Sequence, residues 1–234
     1  ADAGQKAWAT VCDQFELEGG TEAQRRTFFT SLYRTYERMV DINEYGKYFS
    51  GYDGEIHESD RPFYVDDWVW DTYLATHPLR TILNPTLQND MINSYVLMYE
   101  QSGWMPTFPQ VYGNHRCMNS YHSASVVLDG YRKGLKDYDV EMAYEAIKKN
   151  LVQGTFIPWR QGVVRTKLDD FYHENGYIPA LHPGEKETEE VVDGFEKRQP
   201  IPVTLGISYD FWTLAEFAKD LDKKDDYALF APKA

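Results

Sequence analysis

The chain has 234 residues, enough for one large domain or two small ones, and 42% of them are hydrophobic, a globular rather than a disordered composition. It carries 24 basic and 37 acidic residues, a net charge of −13, which repels phosphate backbones and argues against nucleic acid as a partner. No segment approaches the roughly 18 apolar residues needed to cross a bilayer, so no membrane partner is expected.

In chain order, helical periodicity dominates. The opening "ADAGQKAWATV" reads as a helix start rather than a signal segment, and with no leading Met the chain reads as a processed or excised piece. A first helix is expected from Gly4 to Leu17, with Ala7, Trp8, Val11 and Phe15 on one stripe. Thr21 followed by Gln24 forms a capping box, and the next helix should run to Met39. The period then changes: Tyr45 to Ile56 reads as a small hairpin turning at Asp53-Gly54. Helices are expected over Thr72–Leu83 and from Pro85, capped by Asn84, to Gln101, where Gly103 ends it. Residues 104–116 are too rich in Pro and Gly to be regular. Further helices are expected over Met118–Lys133, Val140–Val152, Thr166–Glu174, Thr188–Arg198 and Thr204–Leu221, and a last helical pattern begins at Asp225. "EKRQ", 196–199, reads as a helix end, where cations suit the dipole.

The connections 40–70, 103–117, 154–166 and 175–187 are longer than the roughly 2–8 residues of a plain bundle. This predicts a mainly α fold, part of an α/α toroid, with antiparallel helix pairs, long loops and a small β-hairpin, as a single domain over 1–234. The loops share a composition of aromatic, acid, and His or Arg. The first holds "FYVDDWVWDTY", with Asp66, Asp67 and Asp71 around Trp68 and Trp70. The second holds Trp104, His115 and Arg116; the third, Trp159 and Arg160; the fourth, His182, Glu185 and Lys186. Gathered at one rim, they would make an acidic hollow whose carboxylates accept pairs of sugar hydroxyls and whose rings underlie a pyranose. Asp66 and Asp67 point opposite ways in extended chain, so at most one faces such a hollow. The other is expected to cap or pair, with Asp67 placed to bond helix amides. The plain alternative has all three acids capping helices or pairing with Arg61 or Arg80.

Weaker candidates are the Asp169-Asp170 pair, which reads as a solvated helix face, and His122, which reads as a satisfied core histidine. Cys12 and Cys117 form neither a disulfide scaffold nor a metal spacing, and His115 and His122 fit no metal motif. There is no Gly-rich phosphate loop.

The stretches "GGTEAQRRTFFTSLYRTYER", "RPFYVDDWVWDTYLATHPLRTILNP", "YEQSGWMPTFP", "HPGEKETEEVVDGFEKRQ" and "VTLGISYDFWTLAEFAKDL" together resemble glycoside hydrolase family 92. The resemblance implies an exo-acting, inverting, calcium-dependent α-mannosidase that cleaves terminal mannose from glycans. It implies a β-sandwich followed by an α/α-toroid catalytic domain, of which this chain is the first part. The family's general acid, base and calcium ligands lie in motifs absent from these 234 residues and expected beyond Ala234. No calcium is therefore expected on this piece. What it should carry is substrate binding: Asp66 and Arg116 gripping hydroxyls, Asp67, Trp68, Trp70 and Trp104 shaping the wall, and His122 as a lesser contact. "SYDFW" departs from the resemblance, with Phe211 where a second acid is usual. Secretion or export to the periplasm, and association with the remainder of the domain or a second copy, are also implied. The competing reading is a non-catalytic sugar-binding or scaffold module.

Overall fold

The computed structural model describes residues 2–158 and 163–234. The chain divides into two compact units, 1–40 and 41–234.

The first unit is a helix pair, α1 (Asp2–Cys12) and α2 (Glu22–Arg34). Trp8 meets Tyr33 at 4.6 Å and Phe15 meets Phe28 at 5.5 Å between ring centroids. The capping box forms: Gln24 N donates to Thr21 Oγ1 at 3.3 Å, and Thr21 N to Gln24 Oε1 at 2.8 Å. Both helices stop earlier than their periodicity suggests. Past Cys12 the backbone tightens into three-residue turns (Phe15 N to Cys12 O, 3.1 Å). Past Arg34, the Thr35 hydroxyl takes the Leu32 carbonyl at 2.7 Å, which competes with helix continuation.

The larger unit is mainly helical, as expected. Short strands β1 (Val40–Asp41), β2 (Lys47–Phe49), β3 (Ile56–Glu58) and β4 (Tyr64–Val65) precede the helices. The expected hairpin is β2–β3, with Tyr48 opposite His57 and Gly54 at φ +80 in the turn. The helix expected over 72–83 begins later, as α4 (Thr76–Leu83), and a single turn, α3 (Val69–Thr72), precedes it. α5 (Pro85–Ser102) has the predicted ends, with Asn84 Oδ1 accepting from Leu87 N at 3.1 Å and Gly103 left-handed at φ +78. The irregular stretch holds a small pair, β5 (Pro109–Gln110) and β6 (Gly113–Asn114). Then come α6 (Ser123–Arg132), α7 (Val140–Gln153) and α8 (Lys167–Asn175), capped by Thr166. α9 (Pro200–Asp220) and α10 (Lys224–Phe230) end the fold, followed by one 3₁₀ turn.

The core centres on α9, against which α6, α7 and α10 pack. Its Val203, Ile207, Phe211, Leu214 and Phe217 are fully buried. Phe217 meets Tyr131 and Tyr144 at 5.2 and 5.7 Å, and Phe211 meets Phe230 at 6.0 Å. At roughly 1.5–3 kcal/mol per buried large apolar side chain, this helix is the main anchor of the unit.

Three expectations are corrected. Residues 188–198 form turns instead of a helix. Asp193 Oδ1 captures the amides of Phe195 and Glu196 at 2.8 and 2.9 Å, and Lys197 and Gln199 take positive φ, so helical bonding cannot propagate. "EKRQ" therefore leads into the N-terminus of α9 instead of closing a helix. α9 itself begins at Pro200 rather than Thr204, because Pro200 and Pro202 sit in the first turn, where amide donors have no intrahelical use. α6 begins at Ser123 rather than Met118, because Ser120 is left-handed (φ +73) and Tyr121 N is taken by Asp210.

Candidate functional site

Five aromatics and three acids coexist in "FYVDDWVWDTY" because its residues face different media. Phe63, Tyr64, Val65 and Val69 are buried, while Trp68 and Trp70 are 42% and 43% exposed. Asp66 is half-buried and takes φ +60, a region that Asp tolerates better than most residues. Asp71 is exposed on α3.

Asp67 is fully buried. Its Oδ1 accepts from Thr72 Oγ1 at 2.8 Å, and its Oδ2 accepts from His77 Nε2 at 2.7 Å and from the Tyr95 hydroxyl. Gln88 in turn holds His77 Nδ1 at about 3 Å. Burial alone would raise the Asp67 pKa, but the His77 charge and the three donors outweigh it and hold the carboxyl below its ordinary value. The expected bond from Asp67 to helix amides is absent: α3 has no side-chain cap, because these partners occupy both oxygens. Asp67 instead fixes the backbone that displays Asp66 and Trp68, with its own amide donating to Pro109 O at 3.0 Å. Arg61 pairs with Asp90 and Asp137 instead of these acids.

Arg116 is likewise inside, 9% exposed. Its Nη1 donates to Tyr121 Oη at 2.9 Å, Nη2 donates to Thr155 O, and its guanidinium stacks 5.2 Å from the Tyr121 ring. Its Nε is buried without a partner. In this state Arg116 ties the second loop to the third instead of presenting both amines to solvent. His122 is buried, Nδ1 lying 3.2 Å from Asp210 Oδ1, and its ring stacks on Tyr73 at 4.0 Å. Asp210 Oδ2 also accepts Tyr121 N at 2.5 Å. Burial raises the Asp210 pKa, only partly countered by His122 and the Tyr121 amide. This contact needs α9 to pass very close, and Gly206 permits it: a Cβ there would lie 1.8 Å from Ser120 Oγ.

These contacts bring several segments together. Trp68 meets Phe108 at 5.6 Å, and Tyr73 of the α3 end meets both His122 and Tyr209 of α9. Asn119 Nδ2 donates to Gln199 Oε1 at 3.2 Å, bringing in the segment before α9. Cys117 sits within reach of both the Asp71 and Glu196 charges; burial, with these two adding, pushes its thiol up to about 11. Trp104 is held elsewhere: its ring lies 4.7 Å from Lys149 Nζ, a cation that also reaches Tyr99 of α5. His182 and Glu185 form an exposed turn, Glu185 Oε2 accepting from His182 N at 2.9 Å. Asp169 is buried in the α8 capping box and accepts Phe156 N at 2.7 Å, while Asp170 pairs with Arg165. Trp159 and Arg160 lie outside the described residues.

Sequence reading missed Asp210, Tyr73 and the Glu196–Gln199–Asn119 chain as parts of this region. Asp210 had a signal, an acid in the middle of the apolar run "LGISYDFWTLA"; Tyr73 closes the stretch "FYVDDWVWDTY", Glu196 and Gln199 lie in "EKRQ", read as a helix end, and Asn119 alone had none. Among the described residues, no group of three or more His, Cys, Asp or Glu side chains is placed to hold a metal ion. No described helix is long and apolar enough to cross a membrane.

Comparison with known proteins gives the family of this helical chain. Residues 1–234 match the model of the glycosyl hydrolase family 92 catalytic domain, and the chain belongs to that family. Among solved structures it is similar to the GH92 inverting mannosidase BT2199 from Bacteroides thetaiotaomicron (30% identity, TM-score 0.81, covering 100% of this chain and 30% of that one). It is also similar to the GH92 alpha-mannosidase BT3965 from the same organism (25% identity, TM-score 0.82, 100% and 29% covered). A further match, the GH92 hydrolase ccman5, shares the fold at 19% identity and TM-score 0.70, covering 99% of this chain and 27% of that one. The chain thus spans about 30% of the length of the first two. No curated protein matches it.

Proposed function

We propose that this chain forms the sugar-gripping side of the catalytic hollow of an exo-acting, inverting α-mannosidase, within an α/α toroid. The observation that supports it best is the convergence at one rim of α3, the 108–122 segment, the 196–199 segment and the middle of α9. Membership of the family, whose structurally similar members BT2199 and BT3965 are mannosidases, the latter also solved with mannoimidazole, supports a mannoside as the substrate class.

In this reading Asp66 accepts a pair of mannose hydroxyls, and the Trp68 and Trp70 faces lie against the apolar face of the ring. Asp67, Arg116 and His122 act from behind, fixing the loops that carry these contacts. Trp104, whose face Lys149 occupies, is left out of the wall. Inversion needs an acid and a base about 6.5–9.5 Å apart across the scissile bond. Neither is assigned to a residue here, and calcium is assigned no ligand in this chain. The chain alone is therefore expected to bind mannosides and to release no mannose. The apolar stripe Ile201, Leu205, Trp212 on α9, 71%, 66% and 42% exposed, supports association with the rest of the catalytic domain or a second copy. Export to the periplasm or outside the cell completes the proposal.

The test is calorimetric titration with mannoimidazole and methyl α-D-mannoside. Trp68→Ala and Trp70→Ala should each weaken binding about tenfold, the equivalent of ~1.4 kcal/mol. Unchanged affinity in both variants would overturn the assignment, and mannose release above the blank by this chain alone would overturn the division of labour.

A further inference from the structure

The segment 187–199 is built with more care than a connecting loop needs. Arg198, 9% exposed, makes a bidentate pair with Glu187, Nε to Oε2 at 2.6 Å and Nη2 to Oε1 at 2.7 Å, and its Nη1 donates to Pro179 O at 3.0 Å. Glu187 Oε1 also accepts the amides of Thr188 and Glu189, at 3.0 and 2.9 Å. On either side of Arg198 stand residues in the left-handed region, Lys197 at φ +65 and Gln199 at φ +48. Neither is glycine, so both conformations are costly and persist only because the surroundings enforce them.

What this clamp delivers is a polar chain. Gln199 Oε1 accepts from Asn119 Nδ2 at 3.2 Å, and Gln199 Nε2 donates to Glu196 Oε2 at 2.8 Å. All three side chains are half-buried. Among the described residues, each keeps hydrogen-bonding capacity unspent: the second amide hydrogens of Asn119 and Gln199, and Oε1 of Glu196. Glu196 and Asp71 both act electrostatically on the Cys117 thiol, and Asn119 lies three residues before His122, whose ring stacks on Tyr73.

We propose that segment 187–199 is a specificity arm of the sugar hollow, in which the buried Arg198–Glu187 pair positions Glu196 and Gln199 beside Asn119 to read saccharide hydroxyls. Alternating amide donors and a carboxylate acceptor match a vicinal diol, whose hydroxyls both give and take hydrogen bonds. The proposal rests on the mannoside-binding reading above. Arg198 and Glu187 are positioning residues; Glu196, Gln199 and Asn119 are the ones that touch sugar.

The experiment compares calorimetric affinities for methyl α-D-mannoside and its epimer methyl α-D-glucoside in the wild type, Gln199→Ala, Glu196→Gln and Arg198→Lys. Gln199→Ala and Glu196→Gln should weaken mannoside binding about tenfold and reduce the mannoside-to-glucoside ratio, with the thermal midpoint little changed. Arg198→Lys keeps the charge but loses the fork, and should reproduce that reduced ratio. If it fails to fold, the two half-buried variants still decide the matter. A wild-type ratio in both, whatever happens to stability, would overturn the arm alone. A wild type that binds neither sugar would overturn the mannoside reading and the arm with it.

Discussion

Replacing Asp67 by alanine tests the claim that the aromatic-acid stretch is organised from beneath. The substitution removes a fully buried carboxylate that accepts from His77, Tyr95 and Thr72. The losses are unequal. Thr72 Oγ1 keeps a second bond to Trp68 O at 3.1 Å, and the Tyr95 hydroxyl has His77 Nε2 at 3.3 Å as an alternative partner. His77 Nε2 loses its short contact to a carboxylate and keeps only the longer one to the Tyr95 hydroxyl, and breaking a buried pair costs about 3–5 kcal/mol. At ~2–4 °C per kcal/mol for a chain of this size, the midpoint should fall by roughly 6–20 °C. Asp67→Asn, which keeps one oxygen for Thr72, should cost less. The pH dependence has a definite sign. The folded pKa of Asp67 is depressed, so its stabilisation is fully present above the unfolded value of about 3.9 and is lost as pH falls through the lower folded value. The gap between wild type and Asp67→Asn, read by urea denaturation followed through tryptophan fluorescence, should be level near pH 7 and close in strong acid. A gap below ~1 kcal/mol at pH 7, or one undiminished in strong acid, would refute the reasoning.

Two further predictions concern the packing around this region. His173 is wedged against Phe156, Tyr172 and Phe211 with its Nε2 buried and unpartnered, and burial, aided by the Arg165 and Lys233 charges, pushes its pKa down to about 4. A base depressed in the folded state stabilises above its unfolded pKa of about 6.5 and loses that contribution as pH falls. His173→Phe should therefore flatten the stability decline between pH 6.5 and 4, and an identical decline measured by thermal melts would refute this. Gly206→Ala places a methyl 1.8 Å from Ser120 Oγ, inside any tolerable contact, and should cost ~1–3 kcal/mol by chemical denaturation. Gly206→Ala combined with Ser120→Gly, which removes that oxygen and suits φ +73, should recover most of the loss.

What was legible in the sequence was local. The Thr21 and Asn84 caps, the Gly103 stop and the Asp53-Gly54 turn are written in neighbouring residues, and each forms as read. The site depends on partners far apart in sequence, such as Asp67 with Tyr95 or Asp210 with Tyr121, and no spacing rule links them. The helix expected over 188–198 shows the same limit from the other side. "TEEVVDGFEKR" has helical composition, yet Arg198 is drawn back to Glu187 and Asp193 closes its own turn, so tertiary and local side-chain bonds win over propensity. Aromatic and acidic content did single out segments 63–73 and 104–116, which the structure brings into contact through Trp68 and Phe108. It could not say which acids face outward, because that is settled by backbone conformation, as the left-handed Asp66 shows.

Two carboxylate–imidazole pairs lie under the rim, and they are poised differently. Asp67 beside His77 has three side-chain donors and is held below the usual carboxylate range; Asp210 beside His122 has fewer, and burial wins, so its pKa is raised. A carboxylate pushed down stays charged under any working condition and serves as a fixed anchor. One pushed up takes a proton in milder acid, and on doing so releases its hold on His122 Nδ1, whose ring stacks on Tyr73 at the C-terminal end of α3. Mannoside affinity should therefore fall as pH drops through the raised value of Asp210. Asp210→Asn, uncharged throughout, should bind more weakly at neutral pH and lose that acid limb, whereas Asp67→Asn should keep it. Calorimetric titrations across a pH series decide the matter: an acid limb that survives in Asp210→Asn, or vanishes in Asp67→Asn, would mean that the rim answers to a different proton.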